Sequence, residues 1–484
     1  MNISRIIWWA KRKYSEQTAV IFKERTWTYN QLLTGVQRYI RFFRDMDLAR
    51  NRPVVVALSN TPEFVHISMA LNALGIPMVL CHFALSSLEL GYIFEDSKAQ
   101  LFISYRVADD YLERLRAAGY RVPVIDIHKP SPVNGAYGFD EYVQTLAPLD
   151  LMRDLAEDAP SFIIYTSAED GYLKGACLTY KSLLSNVLVS SQYMGLAPHE
   201  AVLPLLPFCH SFGLSTAMLA TLIQGARLVL LDRFRLRHIL KLIQQHRVAR
   251  VISVPALYQK MFFFRDVERY DLSSITGCVT GGSPVPIELQ KYARDKFHIA
   301  MHQGYGMTEA SPVVAFNTFD QPLVFGSCGT PYPIFDLTVK DDAGRDAPKG
   351  ETGELWIRGP SVIKSYYGAH SGFKQPFTAN GWFKTGDLVR IDEKGYLFFT
   401  GLKKNMFLVG GYNVYPREVE RIVRTFEGVR DCKLLLHGKD DTGGDILGAT
   451  IRLTAKEKQD HVDRMLMRCL SPYKIPYHVD WQYP

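Results

Sequence analysis

A chain of 484 residues is longer than one hydrophobic core organises, and about two to four structural units are expected. Its 47% apolar and 22% charged residues match a soluble globular protein, and no apolar run reaches the roughly 18–20 residues that cross a bilayer, which excludes a transmembrane segment. The formal net charge of +7 is spread along the chain. It suits anionic small molecules such as nucleotides or coenzyme A, or an acidic carrier protein; no arginine-rich block or stacking-aromatic pattern argues for nucleic acid. Seven cysteines, odd in number and without a CxxC pair, read as reduced thiols of a cytoplasmic protein, not as disulfides or a zinc site.

The stretch from Met1 to Ala10 is apolar but too short and wrongly flanked for a secretory signal. It reads as a docking helix, with contact to a membrane surface as the second reading. Between 20 and 150, apolar strands alternate with amphipathic helices: a buried strand at 54–58, then helical spacing from Glu63 to Leu74 ended by Gly75. The alternation is clearer at 160–305, with apolar runs at 162–165, 227–231, 251–254 and 277–280 and helix-period segments at 236–246 and 286–297. Such alternation predicts parallel sheets covered by helices. From 321 to 400, short strands broken by Gly, Pro and Asp-Ala-Gly turns predict a small antiparallel or barrel-like unit. The basic stretch Gly401-Leu-Lys-Lys-Asn reads as a hinge. Beyond it a compact α+β tail is expected, with helices at 417–426 and 456–469 and a strand at 432–437. The expected fold class is therefore α/β, with a large N-terminal part and a small α+β C-terminal part.

Residues 165–175 read Tyr-Thr-Ser-Ala-Glu-Asp-Gly-Tyr-Leu-Lys-Gly and follow an apolar strand. A loop that cradles phosphate sets small hydroxyl residues and glycines on a turn after a strand, so that backbone N–H groups and hydroxyls face the phosphate oxygens and a lysine adds charge. Thr166, Ser167, Gly171, Lys174 and Gly175 fit that pattern; Ala168, Glu169 and Asp170 do not. Four further segments follow in order: Thr280-Gly-Gly-Ser-Pro-Val-Pro, Gly304-Tyr-Gly-Met-Thr-Glu, Gly381-Trp-Phe-Lys-Thr-Gly-Asp and Gly410-Gly-Tyr-Asn-Val-Tyr-Pro-Arg-Glu. Each alone is an ordinary turn.

Together, in this order and spacing, they resemble the adenylate-forming (AMP-binding) superfamily of acyl-CoA synthetases, peptide-synthetase adenylation domains and luciferases, from about Thr18 to the last residue. The resemblance implies an N-terminal domain at 1–400 (α/β subdomains at about 1–155 and 156–320, a β-barrel-like subdomain at 321–400), a hinge at 401–404 and a mobile C-terminal cap at 405–484. It implies ATP, Mg²⁺ and a thiol acceptor, either coenzyme A or a carrier-protein phosphopantetheine. A carboxylate attacks the α-phosphate of ATP to give an acyl-adenylate, and the thiol then displaces AMP; positioning and electrostatics carry such steps. Gly281, Gly282 and Ser283 would wall the adenine slot and Tyr305, beside Gly306, would stack on the base, against the alternative of a core tyrosine. Thr308 would bond the α-phosphate. Glu309 would hold Mg²⁺, against the alternative of an acid at a helix start. Asp387 would accept both ribose hydroxyls, or be a turn aspartate. His210, in Pro207-Phe-Cys-His, matches the acyl side of the site, as a gate or packing residue or simply as a core histidine. Phe208, Phe212 and Leu214 around it are apolar, and the aspartate that holds an α-amino group is missing, so a fatty or aromatic acid is expected. Gly410, Gly411 and Tyr412 match the hairpin that enters the site for thiol transfer, or form a plain turn.

Three departures bear on the activation step. Carboxylates at Glu169 and Asp170 about 6 Å from a phosphate charge each cost on the order of 2–3 kcal/mol at an effective dielectric near 20, unless Mg²⁺ reverses the sign or they swing to solvent. Leu402 stands where the family usually has arginine; Lys403 could substitute as a point charge, and Lys404 sits at the swivel. The segment Ser471-Pro-Tyr-Lys matches the stretch before a glycine-lysine motif, and the sequence stops at Pro484 before that lysine; Lys474 is not a convincing replacement. Two further readings therefore stand beside a complete ligase: a protein that binds AMP, acyl-AMP or an acyl group without turnover, and one that keeps only the thioester-forming half. If the loop is the defect, the combined change Ala168→Gly, Glu169→Thr and Asp170→Thr raises the rate of pyrophosphate exchange above that of the parent; equal rates would acquit the loop.

Overall fold

The computed structural model describes residues 2–83, 85–105, 116, 119, 122–127, 139–167, 171–231, 234–368, 376–403, 406–440 and 443–483. Local chemistry sets many element ends. Helix Tyr29–Asp45 starts at a capping box, in which Thr28 accepts from the Gln31 N–H and the Gln31 side chain accepts from the Thr28 N–H. Ser86 and Glu89 do the same for Ser87–Ser97, and Thr179 with Ser182 for Tyr180–Tyr193. Helix Pro62–Leu74 opens on proline and closes on Gly75 at φ 75°, where a side chain would be strained.

These elements build a mixed α/β fold. A nine-stranded sheet runs in the order Thr330–Pro331, Val313–Phe316, Met301–Gly306, Gly277–Thr280, Val248–Ser253, Ala201–Pro204, Arg227–Leu230, Thr18–Phe22 and Arg25–Thr28. A seven-stranded sheet runs Tyr366–Tyr367, Leu173–Thr179, Pro160–Ser167, Met78–Leu80, Val54–Ala57, Leu101–Ser104 and Val124–Asp126. The inner strands of both are parallel, and their side chains are buried on both faces, as in Val54–Ala57 and Val248–Ser253. The region after 321 gives a four-stranded antiparallel sheet of Asp336–Lys340, Gly353–Arg358, Phe383–Ile391 and Leu397–Leu402. The C-terminal part carries a hairpin, Phe407–Val409 with Tyr412–Val414, and a three-stranded sheet of Val429–Lys439, Asp445–Leu453 and His478–Gln482 covered by helices Pro416–Val423 and Gln459–Cys469. One large core joins the two big sheets, while Val414, Val419, Ile451 and Leu466 belong to a separate small core.

The differences from the sequence reading have local causes. The expected strand at 162–165 extends to Pro160–Ser167 because it pairs along its length with Leu173–Thr179. The run at 251–254 ends at Ser253, since Pro255 starts a helix and holds Val254 extended before it. Residues 213–219 form a π-helix, a wider turn tolerated because Gly213 has no Cβ; one there would lie 2.1 Å from the Pro207 carbonyl oxygen. All seven cysteines are buried thiols. Among the described residues no helix is long and apolar enough to cross a membrane.

Two core histidines give the fold a pH dependence. His66 stacks on Tyr39 and neither ring nitrogen has a partner; burial lowers it to about 4. His302 lies 3.7 Å from the Phe319 ring centroid, and burial also lowers it to about 4. Both are neutral when folded, so below the ordinary value of 6.5 the unfolded chain binds protons first. Their contribution is complete above pH 6.5 and is lost as pH falls toward 4, at up to about 1.4 kcal/mol per pH unit for each imidazole. Urea midpoints should therefore be lower at pH 5 than at pH 7, and His66→Phe should flatten that difference; an unchanged slope would show that His66 is not the group involved.

Candidate active site

The large sheets end together at a cavity of about 230 Å³. Strand Gly277–Thr280 runs into Gly281, Gly282 and Ser283, where Gly282 takes φ 81°. A Cβ on Gly281 would stand 3.3 Å from both the Gly304 carbonyl oxygen and the Phe212 ring. Gly282 and Ser283 line this cavity, whereas Gly281, expected beside them, lines only a smaller adjoining chamber. Strand Met301–Gly306 delivers Tyr305, and Gly306 is confined by the Pro312 carbonyl oxygen, 2.3 Å from where its Cβ would lie.

Tyr305 is buried. Its hydroxyl donates to Asp387 Oδ2 at 2.6 Å, and its ring stacks 6.4 Å from Phe399. Burial first and then the Asp387 charge push the phenol well above its usual range, so it stays a donor. Asp387 sits inside strand Phe383–Ile391, opposite Leu402, and both line the cavity; it is a strand residue, not a turn aspartate. Thr308 Oγ1 lies 3.2 Å from Ser211 Oγ in a short 3₁₀ turn. Glu309 Oε1 accepts from Thr166 Oγ1 at 3.1 Å and from the Tyr366 hydroxyl at 3.0 Å. Thr166 and Glu309 bring two oxygens together, and Thr308 lines the same cavity; oxygen ligands are the donor chemistry of a hard cation such as Mg²⁺.

His210 lines this cavity and a smaller apolar chamber of about 50 Å³ bounded by Phe212, Val313 and Phe316. The Phe212 N–H donates to His210 Nδ1 at 3.3 Å. Burial, then the charge of His82, lowers His210 to about 4, so near neutral pH it is an uncharged partition between the two spaces. Phe208 does not reach the chamber: it packs on Phe64 at 5.6 Å, and Leu214 is in the core.

The C-terminal part closes the cavity with Gly411, Tyr412, Tyr415 and Tyr473. Tyr412 stacks on Tyr473 at 4.3 Å and meets His82 edge-on at 6.1 Å. A Cβ on Gly411 (φ 89°) would be 3.1 Å from Val254 Cγ1. Gly410 precedes it at φ 57° without lining the cavity.

Of the other expected site residues, Lys174 lies on strand Leu173–Thr179 outside the cavity lining, and Thr166 pairs with it across the hairpin. Gly171 faces the C-terminal helix: its carbonyl accepts from Arg421 Nε at 3.1 Å, and a Cβ there would lie 3.0 Å from the Arg417 carbonyl. Ser167 ends its strand opposite Leu173. Ala168, Glu169, Asp170 and Lys404 lie outside the described residues. Lys403 does not stand in for an arginine at Leu402; its ammonium is held by Glu354 at 3.1 Å, away from the cavity. Tyr366 was missed by the sequence reading because it belongs to no recognisable string; Tyr473 lies within Ser471-Pro-Tyr-Lys, but nothing in that segment marked it as a cavity residue.

Against this geometry, the family described as AMP-binding enzyme matches residues 7–367. The chain belongs to that family, whose members form and use adenylates. The long-chain-fatty-acid–CoA ligase of Bacillus subtilis is 26% identical over 96% of this chain and 88% of its own length. The feruloyl-CoA synthase of an Amycolatopsis species is 29% identical over 96% and 91%. Among solved structures, an o-succinylbenzoate CoA synthetase double mutant from Bacillus subtilis, bound with a product analogue, superposes with a TM-score of 0.84 at 25% identity over 98% of this chain and 94% of that one. The amide bond synthetase of Marinactinospora thermotolerans, at 22% identity and TM-score 0.85 over 99% and 95%, shares the fold.

Gly282, Ser283, Tyr305 and Asp387 line one cavity, where an adenosine would meet a ring and a carboxylate. Asp387→Ala should weaken AMP binding about ten- to hundredfold in calorimetry, the loss of a hydrogen bond to a charged acceptor worth roughly 1.5–3 kcal/mol. Undiminished affinity would move the ribose elsewhere.

Proposed function

We propose that this member of the AMP-forming CoA ligase family joins a carboxylic acid without an α-amino group to a thiol, either coenzyme A or a carrier-protein phosphopantetheine. The observation that carries the reading is that Tyr305, Thr308, Glu309 and Asp387 line one cavity, which shares His210 with an adjoining, mostly apolar chamber. Adenosine sits between Gly282–Ser283 and Tyr305, with its ribose on Asp387. Thr308 donates to the α-phosphate, and Glu309 with Thr166 would hold Mg²⁺, which neutralises charge on the phosphate oxygens. The acid enters the chamber with its carboxylate at Thr308. Its oxygen attacks the α-phosphorus, the bond to pyrophosphate breaks, and the thiol sulfur later attacks the acyl carbon and expels AMP.

The small chamber, walled by Phe212 and Phe316, favours a compact acid, a single aromatic ring or a short chain, over a long fatty chain. Named activities of relatives, such as feruloyl-CoA synthase and 2-succinylbenzoate–CoA ligase, support the aromatic side of that choice. A second reading, a protein that binds an adenylate but activates acids poorly, is favoured by the contact of Gly171 with Arg417 and Arg421, which puts the C-terminal helix against the phosphate loop.

Pyrophosphate exchange across a panel of acids tests the first reading. Exchange with cinnamate-like or short acids, exceeding that with palmitate at least tenfold, is expected. Absence of exchange with every acid, while AMP still binds, would favour the second reading.

A further inference from the structure

We infer that Glu89, Lys474 and Glu418 form a buried ionic latch between the N-terminal body and the C-terminal part, and that they are positioning residues for thiol transfer and not for acid activation. The inference rests on the two-step reaction proposed above.

Lys474 Nζ donates to Glu89 Oε1 at 2.7 Å and to Glu418 Oε1 at 2.6 Å, and all three side chains are 1% exposed. Glu89 is fixed by the body: its Oε2 accepts from the Ser86 N–H at 3.0 Å and the Ser86 hydroxyl at 2.7 Å as the capping box of helix Ser87–Ser97. The same oxygen accepts from Ser471 Oγ at 2.6 Å. Glu418 belongs to the first turn of helix Pro416–Val423, and Lys474 to the 3₁₀ turn Pro472–Lys474. One carboxylate thus comes from the body and the other from the C-terminal part, with the lysine between them.

Burial opposes the charges of Glu89 and Lys474, and the pairing overcomes it, holding Glu89 below its usual range and Lys474 above. Lys474 bonds one oxygen of each carboxylate, while Glu418 Oε2 is buried without a hydrogen-bond partner, so withdrawing the lysine is costly unless water reaches the carboxylates as it leaves. The paired state also fixes the transfer end of the cavity. Tyr473, next to Lys474, stacks on Tyr412 of the hairpin, and Arg421, one turn beyond Glu418, holds the Gly171 carbonyl and lies 4.5 Å over Tyr172. Separating the C-terminal part from the body must withdraw Lys474 and Glu418 from Glu89.

Glu89→Gln is the cleanest variant, because glutamine still completes a capping box and Lys474 keeps Glu418. Lys474→Met, which leaves two carboxylates facing each other, is the stronger one. Thioester formation from a supplied acyl-adenylate and coenzyme A should fall at least tenfold in Glu89→Gln and further in Lys474→Met, while pyrophosphate exchange stays within about twofold of the parent. Hydrogen exchange at amides 171–175 and 416–423 should rise in both. Unchanged transfer, or transfer and exchange falling in parallel, with unaltered hydrogen exchange, would overturn the latch. If the parent protein catalyses neither half-reaction, the proposed function fails; the amide measurement still decides the latch by itself.

Discussion

The site depends on one acceptor. Glu309 Oε1 takes hydrogen bonds from Thr166, at the end of a strand in the seven-stranded sheet, and from Tyr366, on the strand that edges the same sheet. Glu309 itself follows the strand Met301–Gly306 of the nine-stranded sheet. One carboxylate therefore pins the ends of two separate sheets to a common point. A hydrogen bond to a charged acceptor is stronger than a neutral one, and two on one oxygen fix the carboxylate's direction. Parallel strands in open α/β sheets leave a crevice beyond their C-terminal ends, and here two such crevices are drawn into one.

Electrostatics then divide the site. In the larger cavity the Tyr305 hydroxyl is held by Asp387, and Thr308 lies beside Ser211. In the smaller chamber the walls are mostly apolar and His210 is kept neutral by burial. A carboxylic acid would thus leave water with its tail in hydrocarbon and its head at hydroxyls, which separates the two tasks of holding and reacting.

The sequence made the nucleotide side legible because its residues come in short strings. Gly304-Tyr-Gly-Met-Thr-Glu spans a strand end and a turn, so six consecutive residues report a local geometry. The rest is long-range. Tyr366 reaches Glu309 from 57 residues away, and Lys474 reaches Glu89 from 385. Neither separation leaves a periodic or compositional mark. Lys403 shows the converse: beside Leu402 in sequence it looks like a replacement charge, but it follows the end of the strand that places Leu402 at the cavity, and Glu354 takes its ammonium.

Helix Pro416–Val423 is short, but it makes two separate contacts: Arg417 and Arg421 rest on Gly171, while Tyr415, just before it, lines the cavity together with Tyr412 of the hairpin. A helix held at two places carries strain from one to the other. A push at the Gly171 end is therefore felt beside Tyr412, so a change at either patch is registered by both.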